Sequence, residues 1–171
     1  MEIPRLYLDV DGVLNLITDR IPSLRHRSFR TGAFRITWYP PAIGALKSWL
    51  SEDRVSITWL TTWETMANER IGAPMGLPEL PVATRDDAPA GDGYGPWWKL
   101  ATVQQAYDAG GPVIWVDDDI ADTPSAARWI GRTDPGRLLA ISPAPDAGLT
   151  KSELKTIERW LAEREGSDGS G

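Results

Sequence analysis

Asp9 and Asp11 are the residues of this 171-residue chain whose type and spacing most directly suggest chemistry. They stand one residue apart at the end of the apolar run at residues 6–8, and Gly12 follows them. Side chains alternate along a strand, so the two carboxylates point the same way as the chain leaves the sheet. At a separation of about 4 Å and an effective dielectric of about 20, they repel by roughly 4 kcal/mol. A cation must therefore lie between them, or one of them must hold a proton.

Other polar side chains follow later apolar stretches of the chain. Thr61 and Thr62 come after the β-branched stretch 55–60, and Asp117 and Asp118 come after the apolar stretch 113–116. The residues expected to share one site are Asp9, Asp11, Thr61, Lys99, Asp117 and Asp118. Four carboxylates beside one lysine suit Mg²⁺ with retained waters better than Zn²⁺. The cation would offset the repulsion and attract a second anion, of which a phosphoryl group is the natural example.

Carboxylates beside a hard cation can perform phosphoryl transfer. One carboxylate can attack phosphorus to form an acyl phosphate, and its neighbour can protonate the leaving oxygen and then deprotonate water. Lys99 and Mg²⁺ would hold the charge on the phosphoryl oxygens, and a threonine hydroxyl would position one oxygen. The sequence leaves open whether Thr61 or Thr62 supplies this hydroxyl. It also leaves open whether Asp117 or Asp118 is the direct metal ligand.

The composition excludes several other kinds of active site. The chain has no cysteine and a single histidine, His26, which excludes thiolate catalysis, cysteine zinc sites and multi-histidine metal sites. No G-x-S-x-G segment and no Walker A loop occur. Calcium binding of the EF-hand type fails because Gly12 comes too early in the loop. A net charge of -6 argues against a protein that coats nucleic acid through its overall charge.

The length favours one domain over residues 1–165, followed by a disordered tail at 166–171. No apolar run is long enough to span a bilayer and no signal peptide follows Met1, which leads us to expect a cytoplasmic protein. We expect no membrane contact, and no obligate protein partner is evident from the sequence.

Alternating strand and helix patterns predict an α/β fold with a parallel sheet covered on both faces. The expected strands cover residues 5–9, 55–60, 80–84, 113–116 and 138–141. The expected helices cover 40–50, 64–71, 97–109 and 123–130 and a segment starting at 150, and a small hairpin is expected within 30–38. Ligands bind beyond the carboxyl ends of such strands, which is where the candidate residues stand.

Two further groups of side chains are candidates for binding the substrate. The segment 16–35 has a basic bias, and its residues Arg27 and Arg30 are expected to contact phosphates. Trp97 and Trp98 precede Lys99 beside a glycine-rich loop, where they are expected to line the substrate entrance and stack on a base.

Four motifs occur in a fixed order: Asp9-Val10-Asp11-Gly12-Val13, Thr61 after a strand, Lys99, and Asp117-Asp118 after a later strand. This set resembles the haloacid dehalogenase-like phosphohydrolase superfamily over residues 5–142. The resemblance implies a Rossmann-like three-layer sandwich whose mostly parallel five-stranded sheet has the order 5-4-1-2-3.

The same resemblance implies a role for each matching residue. Asp9 would be the nucleophile and Asp11 the general acid/base, while Thr61 and Lys99 would bind the phosphoryl group. Mg²⁺ would be held by Asp9, by the main-chain carbonyl of Asp11, and by Asp117 or Asp118.

A narrower resemblance rests on the sequence around these motifs. It is carried by the residues 8–15, 59–64 with Ala67 and Asn68, 76–78, and Trp115 before the aspartate run. These stretches are similar to the small domains assigned to "Swiss army knife" RNA-repair proteins, which implies phosphate removal at nucleic-acid ends. No kinase or ligase module accompanies them in this chain.

The stretches between Asp11 and Thr61 and between Thr61 and Lys99 are too short for a large cap domain. We therefore expect an open site with a minimal cap or none, which admits bulky substrates such as RNA or DNA ends. The leading expectation is a Mg²⁺-dependent phosphatase acting on nucleotides or nucleic-acid ends. The alternatives are a small-metabolite phosphatase and a protein that binds phosphorylated ends without cleaving them.

Overall fold

The computed structural model of the chain describes residues 2–18, 24–88 and 97–168. In chain order, the elements are β1 (Arg5–Leu8), β2 (Arg27–Thr31), β3 (Phe34–Trp38), α1 (Pro40–Ser51), β4 (Ser56–Trp59), a π-helical turn (Asn68–Gly72), α2 (Ala73–Met75), α3 (Trp98–Asp108), β5 (Val113–Val116), a 3₁₀ turn (Asp118–Ile120), α4 (Pro124–Ile130), β6 (Leu138–Ile141) and α5 (Lys151–Asp168).

A four-stranded sheet in the order β4-β1-β5-β6 forms the centre, and all of its strand pairs are parallel. At the carboxyl end of β1, Leu8 is in register with Trp59 of β4 and Val116 of β5. The residues that follow these three positions therefore leave the sheet at one common edge, which is the edge expected to carry the site.

Helices cover both faces of this sheet, which confirms the predicted α/β class. On one face, β1 residues Leu6 and Leu8 pack in a core that includes α1 and α5. On the other face, Trp115 of β5 packs in a second core formed with α3 and α4. β5 has apolar side chains at all four positions, and all of them are buried, as expected for a strand covered on both sides.

The predicted strand at 80–84 does not form, so the expectation of five strands in the order 5-4-1-2-3 was wrong. Only Val82 pairs with the sheet, through an isolated parallel bridge to Trp59. The Trp59 amide donates to the Pro81 carbonyl at 2.8 Å, and the Ala83 amide donates to the Trp59 carbonyl at 2.9 Å. Pro78 and Pro81 lack the N–H groups that a longer ladder needs, which limits the pairing to this one point.

The predicted hairpin does form, as the antiparallel pair β2–β3 between β1 and α1. Its ends at the turn are Thr31 and Phe34, and Gly32 adopts a φ of 58°, which favours glycine. The hairpin is a separate two-stranded sheet, inserted in the chain between β1 and α1.

The last helix begins as predicted and ends later than predicted. The main-chain N–H and the hydroxyl of Thr150 both donate to the Glu153 carboxylate at the start of α5. α5 then continues to Asp168, past the boundary expected at 165, so residues 166–168 are helical where a disordered tail was expected. The rest of that expected tail, 169–171, lies outside the described residues. Among the helices described, none combines the length and the apolar character needed to cross a bilayer.

Candidate active site

A tight turn carries the chain away from β1 at the carboxyl edge of the sheet. The amides of Leu14 and Asn15 both donate to the Val10 carbonyl at 2.8 Å, which closes the turn. Gly12 adopts a φ of 70°, and a β-carbon added there would lie 2.2 Å from Cγ of Asp118. Glycine is therefore required, because it allows the Asp118 carboxylate to approach the backbone of the turn.

Asp9 lies at the centre of the site and is 5% exposed. Its Oδ1 accepts a hydrogen bond from the Val10 amide at 2.7 Å, and its Oδ2 accepts one from Nζ of Lys99 at 2.6 Å. The hydroxyl of Thr61 lies close enough to this carboxylate to lower the pKa of Asp9, and Thr61 is completely buried. Thr62 is exposed, so Thr61 is the threonine that reaches Asp9.

Lys99 joins two acids from different strands. Its Nζ lies 2.6 Å from Oδ2 of Asp9 and 2.7 Å from Oδ2 of Asp117, and its side chain is 4% exposed. Burial acts to lower the pKa of Lys99, but the charges of Asp9 and Asp117 outweigh it and raise the pKa above the ordinary lysine value. The ammonium form is therefore favoured at neutral pH.

The carboxylates around Lys99 are crowded and poorly solvated. Burial raises the pKa of Asp9, although Lys99 opposes this effect. Burial and the negative charge of Asp9 raise the pKa of Asp117 to about 7. Burial, Asp119 and Asp9 raise the pKa of Asp118 to about 6. All three shifts have the same direction because burial, which disfavours the charged form, is the largest cause of each.

The donor atoms present fit a hard divalent cation. One carboxylate oxygen from each of Asp9, Asp117 and Asp118 lies within 4.8 Å of the other two. The three carboxylates and the Lys99 ammonium leave two negative charges unbalanced when all are ionised. Oxygen donors of this kind suit Mg²⁺ and other hard cations, so the identity of the metal stays a prediction. The side chain of Asp11 does not belong to this group of oxygens.

The carboxylate of Asp11 is held apart from that group by two other side chains. Nδ2 of Asn15 donates to its Oδ1 at 2.7 Å, and Nε1 of Trp63 donates to its Oδ2 at 2.9 Å. Sequence reasoning assigned no role to Asn15 or Trp63. The sequence offered one signal for each residue: Asn15 lies in the turn after Asp11, and Trp63 follows Thr61 by two residues.

The two arginines predicted to bind substrate lie on β2 and are both exposed. Phe34 on the paired strand contacts the Trp63 ring edge to face, with centroids 5.3 Å apart. Arg27 and Thr31 are four residues apart on β2, so their side chains lie on the same face of the hairpin. Thr31 is paired with Phe34, and therefore Arg27 lies on the face that carries Phe34. Arg30 lies on the opposite face, so the hairpin separates the two arginines.

The two tryptophans predicted to line the substrate entrance both pack against the core beneath α3. The ring centroid of Trp97 lies 5.2 Å from that of Trp115, and Nζ of Lys99 lies 6.0 Å from the Trp97 centroid. Both side chains are therefore partly buried by packing, and their contact with substrate stays a prediction. The glycine-rich loop invoked for them falls mostly within 89–96, outside the described residues.

The structure therefore gathers Asp9, Thr61, Lys99, Asp117 and Asp118 around one point, with Asp11 beside them on the same turn. Comparisons with protein-family models, with curated proteins and with solved structures give no match for this chain.

Proposed function

We propose that this chain is a Mg²⁺-dependent phosphatase that hydrolyses phosphomonoesters through an aspartyl phosphate on Asp9, as in the haloacid dehalogenase-like phosphohydrolases. One observation carries the proposal: the buried Lys99 ammonium joins the carboxylates of Asp9 and Asp117, which leave the sheet at neighbouring strand ends. A nucleophile, a cation and a metal-ligand set then share one site, which is the combination that phosphoryl transfer needs.

Asp9 and Asp11 together account for every bond and proton in the proposed reaction. The Asp9 carboxylate forms a bond to phosphorus while the bond from phosphorus to the leaving oxygen breaks, and that oxygen takes a proton from Asp11. Water then attacks phosphorus and gives a proton to Asp11, and the bond between phosphorus and Asp9 breaks. The products are an alcohol and inorganic phosphate, and both acids return to their starting forms.

Lys99 and Thr61 would bind the phosphoryl oxygens in this reaction. The Lys99 ammonium has three N–H donors and uses two of them on Asp9 and Asp117, which leaves one for a phosphoryl oxygen. The buried Thr61 hydroxyl lies against the nucleophile and can orient a second oxygen. Mg²⁺ held by Asp9, Asp117 and Asp118, with the Asp11 carbonyl as a further expected ligand, would neutralise charge on the phosphoryl group.

The substrate class we propose is a nucleotide or a phosphorylated RNA or DNA end. The hairpin that contacts Trp63 beside Asp11 carries exposed arginines, which suit a phosphate backbone. Within the described ranges the hairpin is the only pair of strands inserted between β1 and α1, and so small an insertion suits the minimal cap expected for bulky substrates.

The first experiment measures hydrolysis of p-nitrophenyl phosphate with Mg²⁺ and with the metal chelated. We expect metal-dependent turnover that Asp9→Asn abolishes. Asp53→Asn makes the same chemical change at an exposed position after α1 and should leave turnover unchanged. Retained turnover in Asp9→Asn would refute the aspartyl-phosphate mechanism.

A substrate screen then tests the proposed class. Mononucleotides, 3′- and 5′-phosphorylated DNA and RNA, sugar phosphates and phosphopeptides should be compared at equal concentration by release of inorganic phosphate. Preference for nucleotides or nucleic-acid ends supports the proposal, and preference for sugar phosphates indicates a small-metabolite phosphatase. Tight Mg²⁺-dependent binding of phosphorylated oligonucleotides with no phosphate release under any condition indicates a non-catalytic binding protein instead.

A further inference from the structure

Two hydrogen bonds from different parts of the chain fix the orientation of the Asp11 carboxylate. Asn15 Nδ2 donates to Oδ1 at 2.7 Å, from within the same turn. Trp63 Nε1 donates to Oδ2 at 2.9 Å, from a position 52 residues away in sequence. Because each oxygen has its own donor, the plane of the carboxyl group is defined. Each oxygen keeps further capacity, so one of them can still carry the proton used in catalysis.

The hairpin supports both donors. Oδ1 of Asn15 accepts a hydrogen bond from the Thr37 amide of β3 at 3.0 Å, which fixes the amide group of Asn15. The ring of Phe34, on the same strand, packs edge to face against the indole of Trp63 at a centroid distance of 5.3 Å. The segment inserted after β1 therefore contacts both residues that hold Asp11.

Other tryptophans of this protein also donate an indole hydrogen bond to a side chain. The indole of Trp49 donates to Glu158, and that of Trp59 donates to Asn68. A second side chain, Arg54, also donates to Glu158, so two donors on one carboxylate are not special to Asp11. Trp63 differs from Trp49 and Trp59 because its acceptor is the acid beside the proposed nucleophile, where proton transfer needs a defined direction.

We propose that Asn15 and Trp63 are positioning residues that hold Asp11 for proton transfer to the leaving group, with the β2–β3 hairpin as their support. The inference rests on the proposed function, because it assigns these residues to the acid of that reaction. Neither residue needs to touch the phosphoryl group. Their effect acts through Asp11, since a displacement of about 1 Å in a catalytic group can lower a rate by about 100-fold.

Two esters of similar shape distinguish positioning of the acid from general support of the fold. Phenyl phosphate has a basic leaving oxygen that needs a proton, whereas p-nitrophenyl phosphate has a leaving group that departs without one. The ratio kcat/KM reports the steps up to loss of the leaving group, so it excludes the later hydrolysis of the aspartyl phosphate. A residue that acts through Asp11 must affect the two esters differently.

Trp63→Phe removes the donor while keeping an aromatic ring beside Phe34. We expect kcat/KM for phenyl phosphate to fall by about ten-fold or more, with a much smaller fall for p-nitrophenyl phosphate. Asn15→Ala should give the same selective loss, because it removes the donor to Asp11 without adding a charge beside it. Trp49→Phe deletes an indole hydrogen bond to a carboxylate on α5 and should affect neither ester selectively.

Melting temperatures of all variants identify any loss of folding. Equal losses on both esters, or no loss on either, would overturn this inference and leave the phosphatase proposal intact. If the wild-type protein hydrolyses neither ester with Mg²⁺, the proposed function fails, and the positioning role fails with it. These two failures are therefore distinguishable.

Discussion

The ammonium nitrogen of Lys99 lies 2.6 Å from Oδ2 of Asp9, although 90 residues separate the two in sequence. One residue comes from the first turn of α3 and the other from the end of β1. Both are almost fully buried, which makes their mutual charge compensation important for folding as well as for chemistry.

Loss of the Lys99 charge should lower both stability and activity. Lys99→Met leaves Asp9 and Asp117 without their shared cation, and removing one partner of a buried ion pair costs about 3–5 kcal/mol. Urea unfolding should show this loss at neutral pH, and Mg²⁺ should restore part of it because it compensates the same carboxylates. Phosphatase activity should stay lost. Lys47→Met, on the exposed side of α1, is the control, and normal activity in Lys99→Met would contradict the assignment.

Crowding of the three acids predicts opposite effects of Asp118→Asn on stability and on metal binding. Removing one negative charge relieves repulsion with Asp9 and should raise the melting temperature of the metal-free protein. It also removes an oxygen ligand charge, so Mg²⁺ should stabilise the variant less than the wild type over the same titration. Thermal melting with increasing Mg²⁺ measures both effects. The same change at the exposed Asp122 should produce neither, and equal Mg²⁺ stabilisation in Asp118→Asn would exclude this carboxylate as a ligand.

The contact between Gly12 and Asp118 predicts a strict requirement for glycine. In Gly12→Ala the new β-carbon would meet Asp118 at 2.2 Å, and the φ of 70° is itself unfavourable for alanine. Strain of this kind costs about 1–3 kcal/mol, so the unfolding free energy should fall by at least that amount, with loss of activity. Gly44→Ala is the matched control because nothing lies near its added β-carbon within α1, where alanine should stabilise the helix. A Gly12→Ala protein as stable and active as the wild type would show that the turn can rearrange.

The contacts between α1 and α5 predict a pH dependence of stability remote from the site. Burial alone would raise the pKa of Glu158, but hydrogen bonds from Arg54 and Trp49 outweigh it and hold the pKa below the ordinary glutamate value. A depressed folded-state pKa adds stability above the unfolded-state pKa, and this stability disappears as pH falls through the folded-state value. Glu158→Gln should therefore lower the unfolding free energy at pH 7 by about 1 kcal/mol or less, since Glu158 is half exposed.

Urea unfolding at several pH values checks this prediction for Glu158→Gln. Its difference from the wild type should shrink below about pH 4, as both proteins become uncharged at that position. Glu79→Gln, at another exposed glutamate, should lack this pH-dependent difference. If the difference in unfolding free energy between Glu158→Gln and the wild type stays constant down to low pH, the variant has lost packing and not a favourable charge.

The position of the site could be predicted from the sequence because of a simple rule of parallel sheets. Apolar strands that end in Asp9, Thr61 and Asp117 place those residues at one edge whenever the strands are parallel neighbours. The predicted third strand, at 80–84, failed because strand patterns do not show how far a ladder extends. Pro78 and Pro81 restrict that segment to the single bridge at Val82.

The sequence by itself thus determined the α/β class, the edge of the sheet that carries the acids, and the residue types available there. Only the tertiary structure decided that Thr61 lies against Asp9, that Thr62 is exposed, and that Asp11 bonds to Trp63. Periodicity reports which face of an element a residue occupies. Hydrogen bonds between side chains depend on the paths of the turns and on packing across distant segments, and these are fixed only when the whole chain folds.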